Sequence, residues 1–283
     1  MKLKKWFGIT VLASAAVIGL AACGSGNKSD NAKTVKIGVM TKSDSEEKRW
    51  DKIQELLKKD NIKLEFTEFT DYSQPNKAVA DGAVDINAFQ HYYFLNNWNK
   101  ENKQDLVAAA ETYISPIRLY SGTKNGKNKY TKVDQIPNGA EIAVPNDATN
   151  ESRTLNLLQS AGLIKLDKSG NELATVANIK ENPKKLKITE LDASQTARSL
   201  TSVDAAVVNN TFVTEAKLDY KNALFIEPKD KNSKQWFNII AAKKDWEKSS
   251  KADAIKKIIK ACHTDEVKKV VEETSDGLDQ PVW

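Results

Sequence analysis

Cysteine and histidine are scarce in this chain of 283 residues, which has two of each. Cys262 falls in a segment with helical periodicity, where a lone cysteine is typically a small buried hydrophobic residue and not a nucleophile. His91 and His263 have no cluster of further metal ligands around them in the sequence, which argues against a metal site. The Gly-X-Ser-X-Gly motif of many hydrolases is also missing. We therefore expect no catalytic residue, no metal and no cofactor.

Positive charge is not concentrated in the folded part of the chain. The formal net charge is +5, and subtracting Lys2, Lys4 and Lys5 of the N-terminal segment leaves +2. The remaining lysines alternate with aspartate and glutamate, which argues against a nucleic-acid surface. Heptads and fixed-period repeats are lacking as well, so coiled coils and solenoids are excluded.

The N-terminal segment has the three zones of a bacterial signal peptide. Three lysines precede an apolar run at residues 6–20, which is short for a membrane span of about 20 apolar residues. The letters LAAC at residues 20–23 then resemble the lipobox of bacterial lipoproteins, although an ordinary secretory leader with an incidental cysteine is the alternative. We predict a signal peptide at residues 1–22 and a lipid-modified Cys23 that anchors the chain at the cell membrane, facing outside the cytoplasm.

A short polar stretch follows the predicted lipid anchor. Residues 24–31 contain no apolar side chain, so residues 23–33 are predicted to be the lipidated cysteine and a flexible tether. Because Cys23 carries lipid in this interpretation, Cys262 has no cysteine left with which to form a disulfide.

Strands and helices are predicted to alternate from residue 34 onward. A β-branched run at residues 35–40, helical spacing at residues 45–59 and a second strand at residues 62–69 predict a strand–helix–strand unit with parallel pairing. The helix at residues 75–81 is predicted to stop at Gly82, and further strands are expected at residues 84–89 and 106–113.

This alternation is interrupted once and then starts again. Residues 115–138 are rich in Pro, Gly, Asn and Lys with little periodicity, as expected of a crossing between lobes. We therefore predict an α/β fold with one lobe from residues 34–114 plus 229–283 and a second from residues 115–228. Two lobes joined by crossings imply a hinge and a cleft that closes around a ligand.

A set of short phrases lies in the loops between the predicted elements and covers nearly the whole chain. In order they are FTDY (69–72) with QPN (74–76), ADG (80–82) with Asp85, NAFQH (87–91), PND (145–147) with Thr149, Asn150 and Arg153, NPK (182–184), ELD (190–192) and DAAVVN (204–209). Together they resemble the methionine-binding lipoproteins of the NlpA type, the substrate-binding components of methionine ABC importers. The resemblance implies a two-lobed periplasmic-binding-protein fold of type II. It also implies a monomer that binds L-methionine or a related small ligand and delivers it to a permease with its ATPase.

Arg153 is the candidate for binding a ligand carboxylate. Its planar guanidinium can bond both oxygens and keeps its charge in a buried pocket. The helix predicted to begin at Asn150 adds free backbone donors that favour an anion. The alternative is an arginine on an exposed helix face. If Arg153 serves only the ligand, its removal should abolish binding and leave thermal stability nearly unchanged.

Three further candidates offer aromatic or imidazole rings to a ligand side chain. Tyr72, Phe89 and His91 lie at predicted strand ends and loops that face the cleft, and a thioether favours contact with polarizable rings. Ordinary core packing is the alternative for Phe89, and a helix-capping or core role is the alternative for His91.

Two asparagines complete the candidate site. Asn209 follows the apolar run at residues 205–208, where an amide can donate to a carboxylate and accept from an ammonium. Asn238 follows Trp236 and Phe237, and both asparagines match residues that bind the ligand backbone in the family. Turn chemistry or solvation of a strand edge is the alternative for each.

The sequence departs from the family pattern at the expected rim of the pocket. Phe212 and Trp236 stand where tyrosine is common, and Ile117 with Arg118 replace smaller residues. Methionine is thus the expected ligand, with another small apolar amino acid or a methionine-containing dipeptide as the alternative. A membrane-anchored enzyme and an adhesin are the alternatives from other functional classes.

Overall fold

The computed structural model describes residues 33–283. The predicted signal peptide, the predicted lipidation at Cys23 and all but the last residue of the predicted tether lie outside the described residues. That last residue, Lys33, is the first residue of a strand, so the folded body begins one position earlier than predicted. Within residues 33–283, no helix combines the length and the apolarity needed to cross a membrane.

Strands and helices alternate along the described chain. The strands are β1 (Lys33–Met40), β2 (Ile62–Phe69), β3 (Ile86–His91), β4 (Val107–Ile114), β5 (Arg118–Ser121), β6 (Thr123–Lys124), β7 (Lys127–Asn128), β8 (Glu141–Pro145), β9 (Lys165–Leu166), β10 (Ile179–Glu181), β11 (Lys187–Leu191), β12 (Ala205–Val208), β13 (Phe225–Ile226), β14 (Phe237–Ala242) and β15 (Gln280–Pro281). The α-helices are α1 (Asp44–Leu57), α2 (Pro75–Asp81), α3 (Tyr92–Asn102), α4 (Ala148–Ser160), α5 (Ala193–Ser199), α6 (Asn210–Glu215), α7 (Ala252–Cys262) and α8 (Asp265–Thr274).

Two mixed sheets carry the architecture. The first has six strands in the order β15-β4-β14-β3-β1-β2, and the second has five in the order β11-β8-β12-β5-β13. In the first sheet β1 pairs in parallel with β2 and β3, whereas β14 is antiparallel to β3 and β4. In the second sheet β8 is parallel to β11 and β12, and β5 is antiparallel to β12. The parallel pairing predicted from the first strand–helix–strand unit is therefore confirmed.

The chain passes between the two sheets at two places. Residues 115–117, the first crossing, connect β4 with β5, and residues 227–236, the second crossing, connect β13 with β14. The two crossings lie side by side, since the Glu227 backbone N–H donates to the Ile117 carbonyl oxygen at 3.0 Å. We name the first lobe after the six-stranded sheet and the second lobe after the five-stranded sheet. The lobe boundaries predicted above stay predictions.

Each sheet has its own apolar core. In the first lobe β1 residues such as Ile37 pack with Ile53 of α1 and Ile258 of α7. In the second lobe Ile142 of β8 packs with Leu155 of α4. Full burial of such a side chain contributes about 1.5–3 kcal/mol. Each lobe is therefore held together by its own hydrophobic core.

A further apolar cluster joins the two lobes. Met40, at the end of β1, belongs to a cluster with Val208 and Phe212 of the second lobe, and Tyr72 and Phe89 pack against it. Cys262 is buried in the core of the first lobe, where desolvation raises the pKa of its thiol to about 12. The interpretation of Cys262 as a buried hydrophobic residue is therefore confirmed.

Most predicted elements occur within two residues of their predicted bounds, with two consequential differences. Residues 115–138 were expected to lack strands, but Arg118–Ser121 forms β5, and all four of its residues are buried. A strand buried on both faces shows no polar alternation, and the charge of Arg118 hides its apolar character. Helix α4 begins at Ala148, two residues before the predicted start, because the Asp147 side chain caps it.

Candidate ligand site between the two sheets

A cavity of about 630 Å³ lies between the two lobes. This volume is within the range of about 300–1,000 Å³ that is usual for sites of small molecules. The cavity is lined by residues of both lobes, including Met40 of β1 and Thr211 of α6. The structure brings all the predicted ligand-binding residues together on its wall, namely Tyr72, Phe89, His91, Asn150, Arg153, Asn209 and Asn238.

One side of the cavity is aromatic. Tyr72 follows β2, and its ring centroid lies 5.8 Å from that of Phe89 on β3 and 5.2 Å from that of Phe212 on α6. Phe94 of α3 stands edge-on to Phe89 at 5.7 Å. Ring pairs at such distances stabilise one another and offer polarizable faces and edges. This side of the cavity therefore suits an apolar or thioether side chain.

A buried amide triad holds strand β3 in place behind these rings. Asn76 of α2 donates to the Gln90 side-chain oxygen at 2.7 Å, and Asn87 donates to the Asn76 side-chain oxygen at 2.8 Å. Gln90 donates in turn to the Asn87 side-chain oxygen at 2.9 Å. Because each buried amide is satisfied by the others, the triad fixes the backbone on which Phe89 and His91 stand.

His91 ends β3 and caps helix α3. Its Nδ1 accepts from the Phe94 backbone N–H at 3.0 Å, so the proton of the neutral ring lies on Nε2, which donates to Asn150 Oδ1 at 3.4 Å. Burial, and secondarily the charge of Arg153, lowers the pKa of His91 to about 3. The capping interpretation is thus confirmed, and the same ring, held neutral, lines the cavity.

Asn150 links a carboxylate to the cavity. Its backbone N–H donates to the Asp147 carboxylate at 3.0 Å, and its Nδ2 donates to the same group at 2.9 Å. Asn150 Oδ1 then accepts from Asn209 Nδ2 at 2.9 Å. Asn209 is the N-cap of α6, and its buried Oδ1 has no hydrogen-bond partner among the described residues. The network therefore leaves one buried acceptor beside the cavity.

Arg153 lies in the interior of α4 and is almost entirely engaged with the protein. Its Nε donates to Glu227 Oε1 at 2.7 Å, and its Nη2 donates to Glu227 Oε2 at 2.5 Å and to the Ser115 carbonyl at 3.1 Å. Its guanidinium carbon also lies 4.8 Å from the ring centroid of Trp236. Only 3% of the arginine side chain and 12% of the Glu227 side chain are exposed. The exposed-helix interpretation is therefore wrong.

Two details of the predicted carboxylate site change. The first free donors of α4 face the Asp147 carboxylate, so the helix N-terminus does not offer an open anion site. Nη1 is the nitrogen of Arg153 for which no hydrogen bond to a described residue is found, while the other two are occupied. A ligand carboxylate would accordingly meet one edge of the guanidinium, not its full fork.

Asn238 is the candidate with the fewest protein contacts. It lies on β14 directly opposite His91 of β3 and lines the cavity. It is half-buried, and within residues 33–283 its amide makes no hydrogen bond. Its amide is therefore available to a ligand.

The cavity continues toward a buried cluster of charges. Asp279 Oδ1 accepts from the Ser115 hydroxyl at 2.5 Å, and Glu46 of α1 lies 3.4 Å from Arg49. The Arg49 guanidinium stacks on Tyr113, 4.6 Å from its ring centroid. Burial raises the pKa of Glu46 and the pKa of Asp279. Within residues 33–283, no group of three or more His, Cys, Asp or Glu side chains is arranged to hold a metal ion.

Hydrogen bonds close the two rims of the cavity. At the first rim, Gln235 Nε2 donates to the Gly170 carbonyl at 3.1 Å and the Tyr93 hydroxyl donates to the Asn171 carbonyl at 3.5 Å. At the second rim, Asn210 Nδ2 donates to the Leu278 carbonyl at 3.0 Å. Each of these bonds joins one lobe to the other.

Sequence reasoning missed Glu227, Ser115 and Phe94. Glu227 directly follows strand β13, at a sheet edge where ligand-binding residues often lie, but the sequence offers no sign of its partner. Phe94 follows the cap His91 by three residues, and this spacing brings it onto the same side of the helix start.

Two α/β lobes, two crossings and a cavity lined by both lobes define a two-lobed ligand-binding protein with the periplasmic-binding-protein fold. The predicted fold class is confirmed by solved structures of substrate-binding proteins that superpose on the chain. Residues 35–283 match the family model described as NlpA lipoprotein, and the chain belongs to that family. The resemblance stated from the short phrases is therefore confirmed.

Relatives and solved structures describe the family further. A probable D-methionine-binding lipoprotein MetQ of Haemophilus influenzae is 41% identical over 274 residues, which cover 94% of each chain. The substrate-binding protein of a methionine transporter from Streptococcus pneumoniae is 80% identical, with a TM-score of 0.86 over 88% of this chain and 96% of that one. A nutrient-binding protein of Burkholderia cenocepacia, bound to methionine, is 38% identical, with a TM-score of 0.78 over 88% of this chain and 100% of that one.

Proposed function

We propose that this chain is an extracytoplasmic lipoprotein that binds methionine in the cavity between its lobes and delivers it to an ABC importer. The observation that carries the proposal is the wall of the cavity, where an aromatic side lies next to Arg153 and the free amide of Asn238. The similarity to a methionine transporter's binding protein and to a structure bound to methionine supports the same ligand.

The polar groups suit the two charges of a free amino acid. Arg153 Nη1 and the Asn238 amide can donate to the carboxylate, and Asn209 Oδ1 can accept from the ammonium. His91 is neutral and adds no charge to the site. The thioether then lies against Tyr72 and its neighbouring rings, where sulfur–aromatic contacts contribute about 0.3–1.5 kcal/mol.

Transport requires that the ligand favour one arrangement of the lobes. A ligand that contacts both lobes stabilises the closed form, because the population shifts only by the difference in its affinity for the two forms. The rim bonds of Gln235 and Asn210 join the lobes in this form. We propose that the closed form is the one recognised by the permease with its ATPase.

The membrane anchor belongs to the same proposal. Cys23 carries lipid, the signal peptide at residues 1–22 is removed, and residues 23–33 tether the lobes outside the cytoplasm. Anchoring raises the effective concentration of the binding lobes at the permease without a strong docking contact. The chain acts as a monomer, without cofactor, and it binds and releases its ligand without catalysis.

A methionine-containing dipeptide is the second candidate ligand. The cavity extends beyond Arg153 to Glu46 and Asp279, which offers polar wall to a longer ligand. A different small apolar amino acid would use the same polar groups with a weaker contact to the rings. An anchored enzyme or an adhesin has no comparable support from the cavity.

Calorimetry tests the ligand. The lipoprotein in detergent, freed of carried ligand by unfolding and refolding, is titrated with L-methionine, D-methionine and methionine-containing dipeptides. Asn238→Ala should weaken methionine binding at least about tenfold, a loss of about 1.4 kcal/mol, and leave the melting temperature unchanged because the amide has no protein partner. Asn96→Ala, on the exposed face of α3, is the matched control. Absence of heat with all of these ligands would refute the proposed ligand.

A further inference from the structure

Glu227 stands behind Arg153 as seen from the cavity. Both of its carboxylate oxygens accept from the guanidinium, at 2.7 and 2.5 Å. Glu227 is not among the described residues that line the cavity, whereas Arg153 is. A ligand therefore meets the arginine directly and experiences the glutamate through its charge.

The backbone fixes Glu227 in this position. Its Oε2 also accepts from the Ile117 N–H at 3.2 Å, and its own N–H donates to the Ile117 carbonyl at 3.0 Å. The carboxylate is thus held by both crossings and cannot turn away without breaking bonds at the hinge. Its place relative to the ligand is set by the fold.

The charges around the ligand carboxylate consequently cancel. Arg153 and Glu227 form a neutral pair, and the neighbouring His91 is uncharged. Asp147, the next carboxylate, lies behind Asn150, which it binds at 2.9 Å. The site therefore presents no net positive charge to the ligand, although it presents an arginine.

A neutral site treats a zwitterion and an anion differently. The charge of Glu227 repels the carboxylate of any ligand and attracts an α-ammonium, so the two effects largely offset one another for an amino acid. For a carboxylate without an ammonium only the repulsion remains, and at partly buried distances of several ångströms such a charge is strongly felt.

We propose that Glu227 is a specificity-determining residue that makes the site select zwitterionic amino acids over carboxylate anions of the same shape. The inference rests on the proposed function, since it concerns the ligand of the same cavity. Glu227 positions and neutralises Arg153, and the arginine alone touches the ligand.

The test compares two ligands that differ only in the ammonium group. Calorimetry of the full-length lipoprotein in detergent measures the dissociation constants of L-methionine and of 4-(methylsulfanyl)butanoate, which is methionine without its amino group. In Glu227→Gln the preference for methionine should fall at least about tenfold relative to the unsubstituted protein, which corresponds to about 1.4 kcal/mol. Glutamine keeps the shape and one acceptor of Glu227 but removes its charge.

Two variants separate charge from geometry. Glu227→Asp keeps the charge and shortens the side chain, so both affinities should fall while the preference stays within about threefold of the original, less than 0.7 kcal/mol. Glu101→Gln removes an exposed glutamate of α3 that does not line the cavity, and should leave both constants unchanged.

The outcomes distinguish the inference from the function on which it rests. An unchanged preference in Glu227→Gln overturns the inference. If Glu227→Gln does not fold, a tenfold loss of preference in Glu227→Asp overturns it instead. Failure of the unsubstituted protein to bind methionine overturns the proposed function itself.

Discussion

Removing the charge of Arg153 should destabilise the protein, contrary to what its sequence context suggests. The guanidinium and its partner Glu227 are 3% and 12% exposed, and three hydrogen bonds join the arginine to Glu227 and Ser115. Loss of one partner of such a buried pair leaves an uncompensated charge and costs about 3–5 kcal/mol. At about 2–4 °C per kcal/mol for a domain of this size, a cost of about 3 kcal/mol lowers the melting temperature by about 6–12 °C.

A double-mutant cycle measures this coupling without ligand. Arg153→Met and Glu227→Gln are unfolded with guanidinium chloride singly and together, and the pair should be less destabilised than the sum of the single variants by at least about 1 kcal/mol. Lys165→Met removes the exposed ion pair with Glu181 and serves as the control, with little expected change. A melting temperature of Arg153→Met within about 2 °C of the original would refute the reasoning, since that shift corresponds to less than about 1 kcal/mol.

Two further predictions concern the polar network. His91, with its pKa lowered to about 3, should show no titration above pH 5 in NMR spectra of His263→Gln, in which it is the sole histidine. Because the folded-state pKa lies below the ordinary value near 6.5, its contribution to stability is complete above pH 6.5 and is lost as the pH falls toward 3; a midpoint near 6.5 would contradict the buried neutral ring. Asp147→Ala removes the cap of α4 and should lower the free energy of unfolding by about 1 kcal/mol. It should also weaken methionine binding several-fold, since Asn150 loses the carboxylate that orients it. Unchanged affinity in calorimetry would mean that this orientation is not needed.

Regular elements were predictable where burial and periodicity agree. The predicted bounds of β2, α2, β12 and β14 match the structure, because apolar runs or Pro and Gly signals mark their ends. Strand β5 was missed because it carries a buried arginine, Arg118, whose cost is offset by hydrogen bonds to the Pro116 carbonyl and to Asn210. Such compensation depends on segments 90 or so positions away, which local patterns do not contain.

The candidate site was predictable as a set of residues but not as a network. Candidates placed at strand ends meet in the cavity because strand ends of one sheet share an edge. The partners of these residues are another matter, since the pairing of Arg153 with Glu227 spans 74 positions and both crossings. The cap at Asp147 stands in the sequence, yet a helix start is uncertain by one or two residues on local evidence. The sequence thus identified the contacts with the ligand and not the groups that tune them.

The first rim of the cavity has a consequence for how sequences of this family can diverge. The acceptors of Gly170 and Asn171 are backbone carbonyls, which every amino acid supplies, whereas the donors are the side chains of Tyr93 and Gln235. Replacing Asn171 by another residue that keeps the loop conformation would preserve its bond across the rim, but replacing Tyr93 by phenylalanine would delete it. Mutational tolerance should therefore be asymmetric across the rim, with the constraint falling on the donors of the first lobe.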